Sequence, residues 1–208
     1  MQNLTTKSVG ALARTLGDSL LAANKKVASV ESCTGGGVAY AITEVAGSSQ
    51  WFEKSWVTYS NQAKHEEVGV SLATLAKFGA VSSEVVHEMA EGGLRKSGAN
   101  LCVAISGIAG PGGGTAAKPV GLVWFAIAKS ADDRRSNDGS ASALRGTVQN
   151  VEQTNTFNKE HSKNTVKEAN IQIHTRCFSR CFSGDRQQVR EQAINLALKE
   201  LIVSLVNT

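Results

Sequence analysis

At 208 residues, with 41% hydrophobic and 19% charged residues, the chain has the make-up of a folded protein with one buried core rather than of a disordered segment. The net charge of +4 admits an anionic ligand, but the 22 basic residues do not run together and aromatic residues are few, which argues against nucleic acid as a partner. Met1–Lys7 lacks the basic-then-apolar pattern of a secretory signal, and no run of about 20 apolar residues could span a bilayer, so a cytoplasmic location with no membrane partner is expected.

From Thr6 to Asn24 the spacing of Val9, Leu12, Ala13, Leu16 and Leu20 predicts an amphipathic helix. Lys26–Glu31 reads as a short strand, which Ser32-Cys33-Thr34-Gly35-Gly36-Gly37 turns into a helix running to about Val45. Ser55–Ser60 alternates like a strand ending near Tyr59, and a helix starts over Asn61–Val68. Ser82–Ser97 predicts another helix, Asn100–Ser106 a strand, and Val120–Ala128 the most apolar strand of the chain. Strands alternating with helices define an α/β layer fold.

Ser130–Ala169 breaks the rhythm. It is polar, carries six acids against six bases, and is expected to be a mobile loop inserted into a single domain that spans the whole chain. Ile171–Phe178 then alternates like an edge strand. After Gly184, Asp185 and Gln188 predict a capping box at the start of a terminal helix, with Val189, Ala193, Leu196, Ala197, Leu201 and Leu205 as its buried stripe. Arg186 and Arg190, four apart, share one face of its first turns.

Ser32 admits two readings: a hydroxyl that caps the following helix, or a nucleophile presented at a strand end. In the second, backbone N–H groups over Cys33, Thr34, Gly35 and Gly36 would stabilise an oxyanion. A nucleophilic serine needs a base. His65, His87, His161 and His174 suggest no triad, whereas Tyr59 and Lys64, in Tyr59-Ser60-Asn61-Gln62-Ala63-Lys64, could share a strand-end rim. A lysine with a burial-lowered pKa can act as base, and a surface lysine beside a half-buried tyrosine is the plainer alternative. Ser106–Thr115 holds five glycines after a strand, Gly107, Gly110, Gly112, Gly113 and Gly114, and reads either as a tight turn or as a phosphate cradle with Lys118 and Arg186 nearby. It spells neither a P-loop nor a dinucleotide fingerprint. Cys33, Cys102, Cys177 and Cys181 are scattered and should be reduced; Cys177 and Cys181 with His174 do not form a zinc pattern, and no metal or cofactor is expected.

Taken in order, the segments Val30–Gly36, Val57–Lys64, Gly79–Ser82, Ser106–Gly114 with Lys118–Gly121, and Phe182–Arg186 with Val189-Arg190 resemble the C-terminal domain of the competence-damage-inducible protein A family. The resemblance implies an α/β/α sandwich with a central mixed sheet, commonly a homo-oligomer, with a small-molecule nucleotide as partner. It also implies metal-independent hydrolysis of nicotinamide mononucleotide to nicotinic acid mononucleotide and ammonia, in pyridine nucleotide salvage. Carried over by motif, Ser32 is the nucleophile and Tyr59 and Lys64 activate it. Ser48, Ser106 and Arg186 correspond to positions for substrate binding or catalysis. The chain departs from the family in having Ser106 where threonine is usual, and in the length of Ser130–Ala169. A catalytically silent nucleotide-binding module of the same fold is the competing reading.

Overall fold

The computed structural model describes residues 8–131 and 172–206. The expected loop at 130–169 lies outside the described residues except for its first two positions.

The first helix, α1 (Val9–Ala22), starts where the Ser8 hydroxyl accepts the Ala11 N–H, and buries Leu12, Ala13, Leu16 and Leu20 as the periodicity predicts. Strand β1 (Val27–Glu31) is buried along its whole length, and α2 (Gly37–Thr43) follows the glycine turn. A 3-10 turn at Ser48–Gln50 leads into β2 (Phe52–Val57). This strand begins and ends earlier than its alternation predicts, so Tyr59 lies beyond it, in the connection to α3 (Asn61–Val68). A short helix, α4 (Leu72–Phe78), precedes α5 (Ser83–Ser97); only Leu75 of α4 is buried, so no apolar stripe announces it. Strands β3 (Leu101–Gly107), β4 (Leu122–Ser130) and β5 (Ile173–Cys181) and the helix α6 (Arg186–Val206) complete the chain.

Among the described residues the strands form one sheet in the order β2-β1-β3-β4-β5. β1 pairs parallel with both β2 and β3, while β3–β4 and β4–β5 are antiparallel, so the sheet is mixed and β5 is an edge strand as expected. The strands' period of two divides the core. Val27, Leu101, Val103, Ile105, Val123, Phe125 and Ile127 face a layer made by α1, α2 and α6. Ala28, Val30, Cys102, Ala104, Ala126 and Ala128 face α3, α4 and α5. The result is an α/β/α sandwich. On the second face the side chains are small, and α5 lies close. At Gly92 an added Cβ would overlap the Val68 carbonyl, so the glycine lets α5 seat against the end of α3.

At the chain's end, the Gln188 N–H donates to Asp185 Oδ1 and the Asp185 N–H to Gln188 Oε1, both at 2.9 Å. This is the reciprocal capping box foreseen in the sequence. The α6 stripe also takes in Leu198 and Ile202, fully or nearly buried, with Leu196 and Leu205 only partly so.

β1 is followed by β2 on one side and flanked by β3 on the other, with the β1–β2 and β2–β3 connections on opposite faces of the sheet. The carboxyl ends of β1 and β3 therefore form a topological switch point, where open α/β sheets hold their ligands. Among the described residues no helix is long and apolar enough to cross a membrane.

Candidate active site

Ser32 follows the last residue of β1 at this crevice, with its N–H donating to Ile105 O of β3 at 3.0 Å. The turn after it closes through Gly35 N–H to Ser32 O and Gly37 N–H to Thr34 O, and its glycines take positive φ (59° at Gly35, 87° at Gly36) that a side chain would strain. The N–H groups of Thr34 and Gly36 are not consumed by these bonds.

The Ser32 hydroxyl does not cap α2. The N-cap position is Gly36, which has no side chain to offer. Glu31 does the capping instead, from inside the core: its Oε2 accepts the Val38 N–H at 3.1 Å and its Oε1 the Ala39 N–H at 2.9 Å. The strand alternation that turns Val27 toward α2 also turns Glu31 that way. Nothing in the motif spacing singled Glu31 out; an acid at the end of an otherwise buried five-residue strand was the available signal.

Lys64 comes to the site through the geometry of α3. Ser60 caps that helix, accepting the Ala63 N–H at 3.0 Å, which puts Lys64 in its first turns. Helical side chains lean toward the N-terminus, so the Lys64 amine reaches back past the cap. Its Nζ donates to Thr58 O at 2.7 Å and to Ser32 Oγ at 3.2 Å. Lys64 is 1% exposed and Ser32 9%, so the surface-lysine alternative does not hold for this residue.

Burial without a carboxylate partner disfavours the ammonium form and lowers the Lys64 pKa from 10.5. The neighbouring Cys33 would oppose this as a thiolate. Its own burial pushes the thiol up to about 11, so near neutral pH it carries no charge to do so. Thr34 and Thr58 bury hydroxyls with no hydrogen-bond partner among the described residues. Unpaired buried hydroxyls beside an amine–hydroxyl pair suit a site that completes its bonding with a ligand or water.

Tyr59 is exposed at the rim, and its hydroxyl accepts from Arg186 at 3.1 Å rather than bonding to Lys64 or Ser32. Arg186 also donates to Gly110 O at 2.9 Å, tying the start of α6 to the glycine loop. Arg190, one turn on, donates to Thr34 O at 2.9 Å and braces the turn after Ser32. The two arginines on one helix face thus clamp two loops that leave neighbouring parallel strands. Gly110 is buried, while Gly112 and Gly113 are exposed on the same loop, and Gly107 ends β3.

Of two further expected residues, Ser106 stands at this crevice, one residue beyond the Ile105 that pairs with Glu31 and accepts the Ser32 N–H, while Ser48 lies apart from it. Ser106 is buried and donates to Ala80 O at 2.7 Å, which ties β3 to the connection before α5. Ser48 precedes β2, and because Val27 N–H bonds to Trp51 O, this turn sits at the starting ends of the strands, across the sheet from Ser32. Lys118 donates to Phe78 O at 2.7 Å and so ties the segment before β4 to the C-terminus of α4. A groove of about 800 Å3 between α1, α2 and α6 shares Gly35, Gly36 and Arg190 with the turn, but neither Ser32 nor Lys64 lines it.

The fold and this crevice define an α/β/α domain with a buried serine–lysine pair at the carboxyl ends of its parallel strands. The chain belongs to the CinA C-terminal domain family, whose model matches residues 9–160. It is 41% identical over 198 residues to nicotinamide-nucleotide amidohydrolase PncC of Shigella flexneri, covering 95% of each chain. It is 49% identical over 151 residues to the PncC of Enterobacter agglomerans, covering 70% of this chain and 92% of that one. Among solved structures, the competence damage-inducible protein A of Klebsiella pneumoniae matches with a TM-score of 0.72 at 29% identity, over 96% of this chain and 98% of that one. The competence/damage inducible protein of Agrobacterium tumefaciens matches with a TM-score of 0.70 at 33% identity, over 98% and 99% of the two chains.

Proposed function

We propose that this chain hydrolyses the carboxamide of nicotinamide mononucleotide, releasing ammonia and nicotinic acid mononucleotide, with Ser32 as nucleophile and Lys64 as general base. The observation that carries this reading is the buried Lys64 Nζ at 3.2 Å from Ser32 Oγ, in a chain resembling nicotinamide-nucleotide amidohydrolases over nearly its whole length. A neutral amine has two hydrogens and a lone pair, so Lys64 can donate to Thr58 O and accept the serine proton at once.

The sequence of events follows. Ser32 Oγ bonds to the carboxamide carbon as its proton passes to Lys64, and the oxyanion is held by N–H groups of the turn, those of Thr34 and Gly36 being available. The lysine ammonium protonates the leaving nitrogen, the C–N bond breaks, and ammonia departs. Water then attacks the ester and gives a proton to Lys64, which returns it to Ser32 as the C–Oγ bond breaks. The nucleotide acid leaves. No step calls for a metal or cofactor.

We assign the phosphate of the substrate to the glycine loop of Gly107–Gly114 and to Arg186, whose guanidinium has five donors and directs two at protein acceptors. Tyr59, held by Arg186 at the rim, belongs to the substrate side of the site in this reading, and reaches the proton path only through the bound substrate. This reading takes the protein to act in the cytoplasm as an oligomer of like copies. Incubating the purified protein with nicotinamide mononucleotide and measuring ammonia tests it; turnover supports the reading, and a folded protein that binds the nucleotide without releasing ammonia would make it a silent module.

A further inference from the structure

We propose that Glu31 is the positioning residue of the catalytic turn, a buried carboxylate that sets the Ser32 hydroxyl against the Lys64 amine. The claim rests on the assignment of Ser32 and Lys64 above. Glu31 is fully buried and immediately precedes Ser32. Its side chain spans the turn, taking the Val38 N–H on one oxygen and the Ala39 N–H on the other, so the segment carrying Ser32 is closed into a loop at both ends. Its main chain holds the other half of the pair. Glu31 O accepts the Thr58 N–H at 2.8 Å, and Thr58 O accepts Lys64 Nζ at 2.7 Å. One residue therefore fixes both the turn that presents the hydroxyl and the carbonyl that aims the amine.

A carboxylate suits this place for a chemical reason. Two backbone N–H donors must be met by two acceptors, and a carboxylate of this length presents both. It takes over the duty that a serine at such a turn ordinarily performs as a helix cap, which leaves the Ser32 hydroxyl free for Lys64. Ser29, whose hydroxyl bonds to Ser55 at 2.7 Å, lies 3.4 Å from Glu31 Oε1 and supports it from the strand.

Glu31→Gln turns one acceptor into a donor facing a donor, and Glu31→Asp is too short to span both N–H groups. Each is compared with the wild type in steady-state hydrolysis of nicotinamide mononucleotide and in the rate of Ser32 labelling by a fluorophosphonate serine probe, per folded molecule. The expected result is a fall in kcat and in labelling rate together, about ten- to hundredfold, as sub-ångström to 1 Å misplacement of reacting groups gives. KM should stay within about threefold, since substrate contacts are not removed. Leu16→Ala, on the buried face of α1, is the control for lost stability; it should lower Tm and leave kcat per folded molecule unchanged. The aspartate variant carries the test if the glutamine variant does not fold. Labelling and kcat within threefold of the wild type in a folded Glu31 variant would overturn the proposal, as would losses no larger than those of Leu16→Ala. A wild type that hydrolyses the nucleotide yet is not labelled at Ser32 would overturn the nucleophile itself, and the positioning claim with it.

Discussion

The Lys64 amine lies 3.2 Å from the Ser32 hydroxyl across 32 positions of sequence, and both are buried. Two buried polar groups with no carboxylate between them cost solvation to maintain. The chemistry of the pair depends on which of them holds the proton.

Activity should therefore rise with pH along a limb governed by Lys64, with a midpoint below 10.5 because burial favours the neutral amine. Lys64→Arg keeps the positive charge but cannot give up its proton, so kcat should drop by roughly 10²–10⁴, the usual worth of a general base, and the limb should vanish. Stability follows the same titration. Between the lowered folded value and 10.5 the unfolded chain holds more protons than the folded one, so stability rises with pH across that window. Chemical denaturation from pH 7 to pH 10 should show the slope in the wild type and a flatter profile in Lys64→Met.

Arg186→Ala should weaken use of nicotinamide mononucleotide by about ten- to hundredfold in kcat/KM, the worth of a charge-assisted bond of about 1.5–3 kcal/mol. The dephosphorylated riboside should lose much less, since it offers no anion. Steady-state kinetics on both substrates checks this, and equal losses would move Arg186 to a purely structural role between Gly110 and Tyr59.

Gly92→Ala should destabilise the protein by about 1–3 kcal/mol, as overpacking does, because the new methyl would overlap the Val68 carbonyl at the end of α3. The same helix carries Lys64, so kcat should fall beyond what lost stability explains. Thermal unfolding and turnover at a temperature where the variant is folded separate the two effects.

Much of this site was legible because its signals are local. Serine between a strand and glycines, lysine five residues after a tyrosine, and Asp185 with Gln188 each depend on neighbours in the chain. What was hidden depends on partners far away. Arg190 meets Thr34 O across 156 positions, and Arg186 meets Tyr59 across 127, with no pattern in either segment to announce it. The glycine loop read as a cradle with Lys118 beside it, but only the fold reveals that the Lys118 amine is engaged by Phe78. Glu31 was hidden for another reason: a carboxylate on a buried strand has no characteristic spacing, and its function appears only once α2 is seen to lack a capping side chain.

The central claim is that Ser32 attacks the amide. Ammonia release from nicotinamide mononucleotide by Ser32→Ala, set beside nucleotide binding by the same variant, tests it most directly. The account predicts a loss of at least about a thousandfold in kcat with affinity nearly unchanged, because the hydroxyl acts in the transition state and not in the bound ground state. Ammonia released by Ser32→Ala at close to the wild-type rate would contradict it.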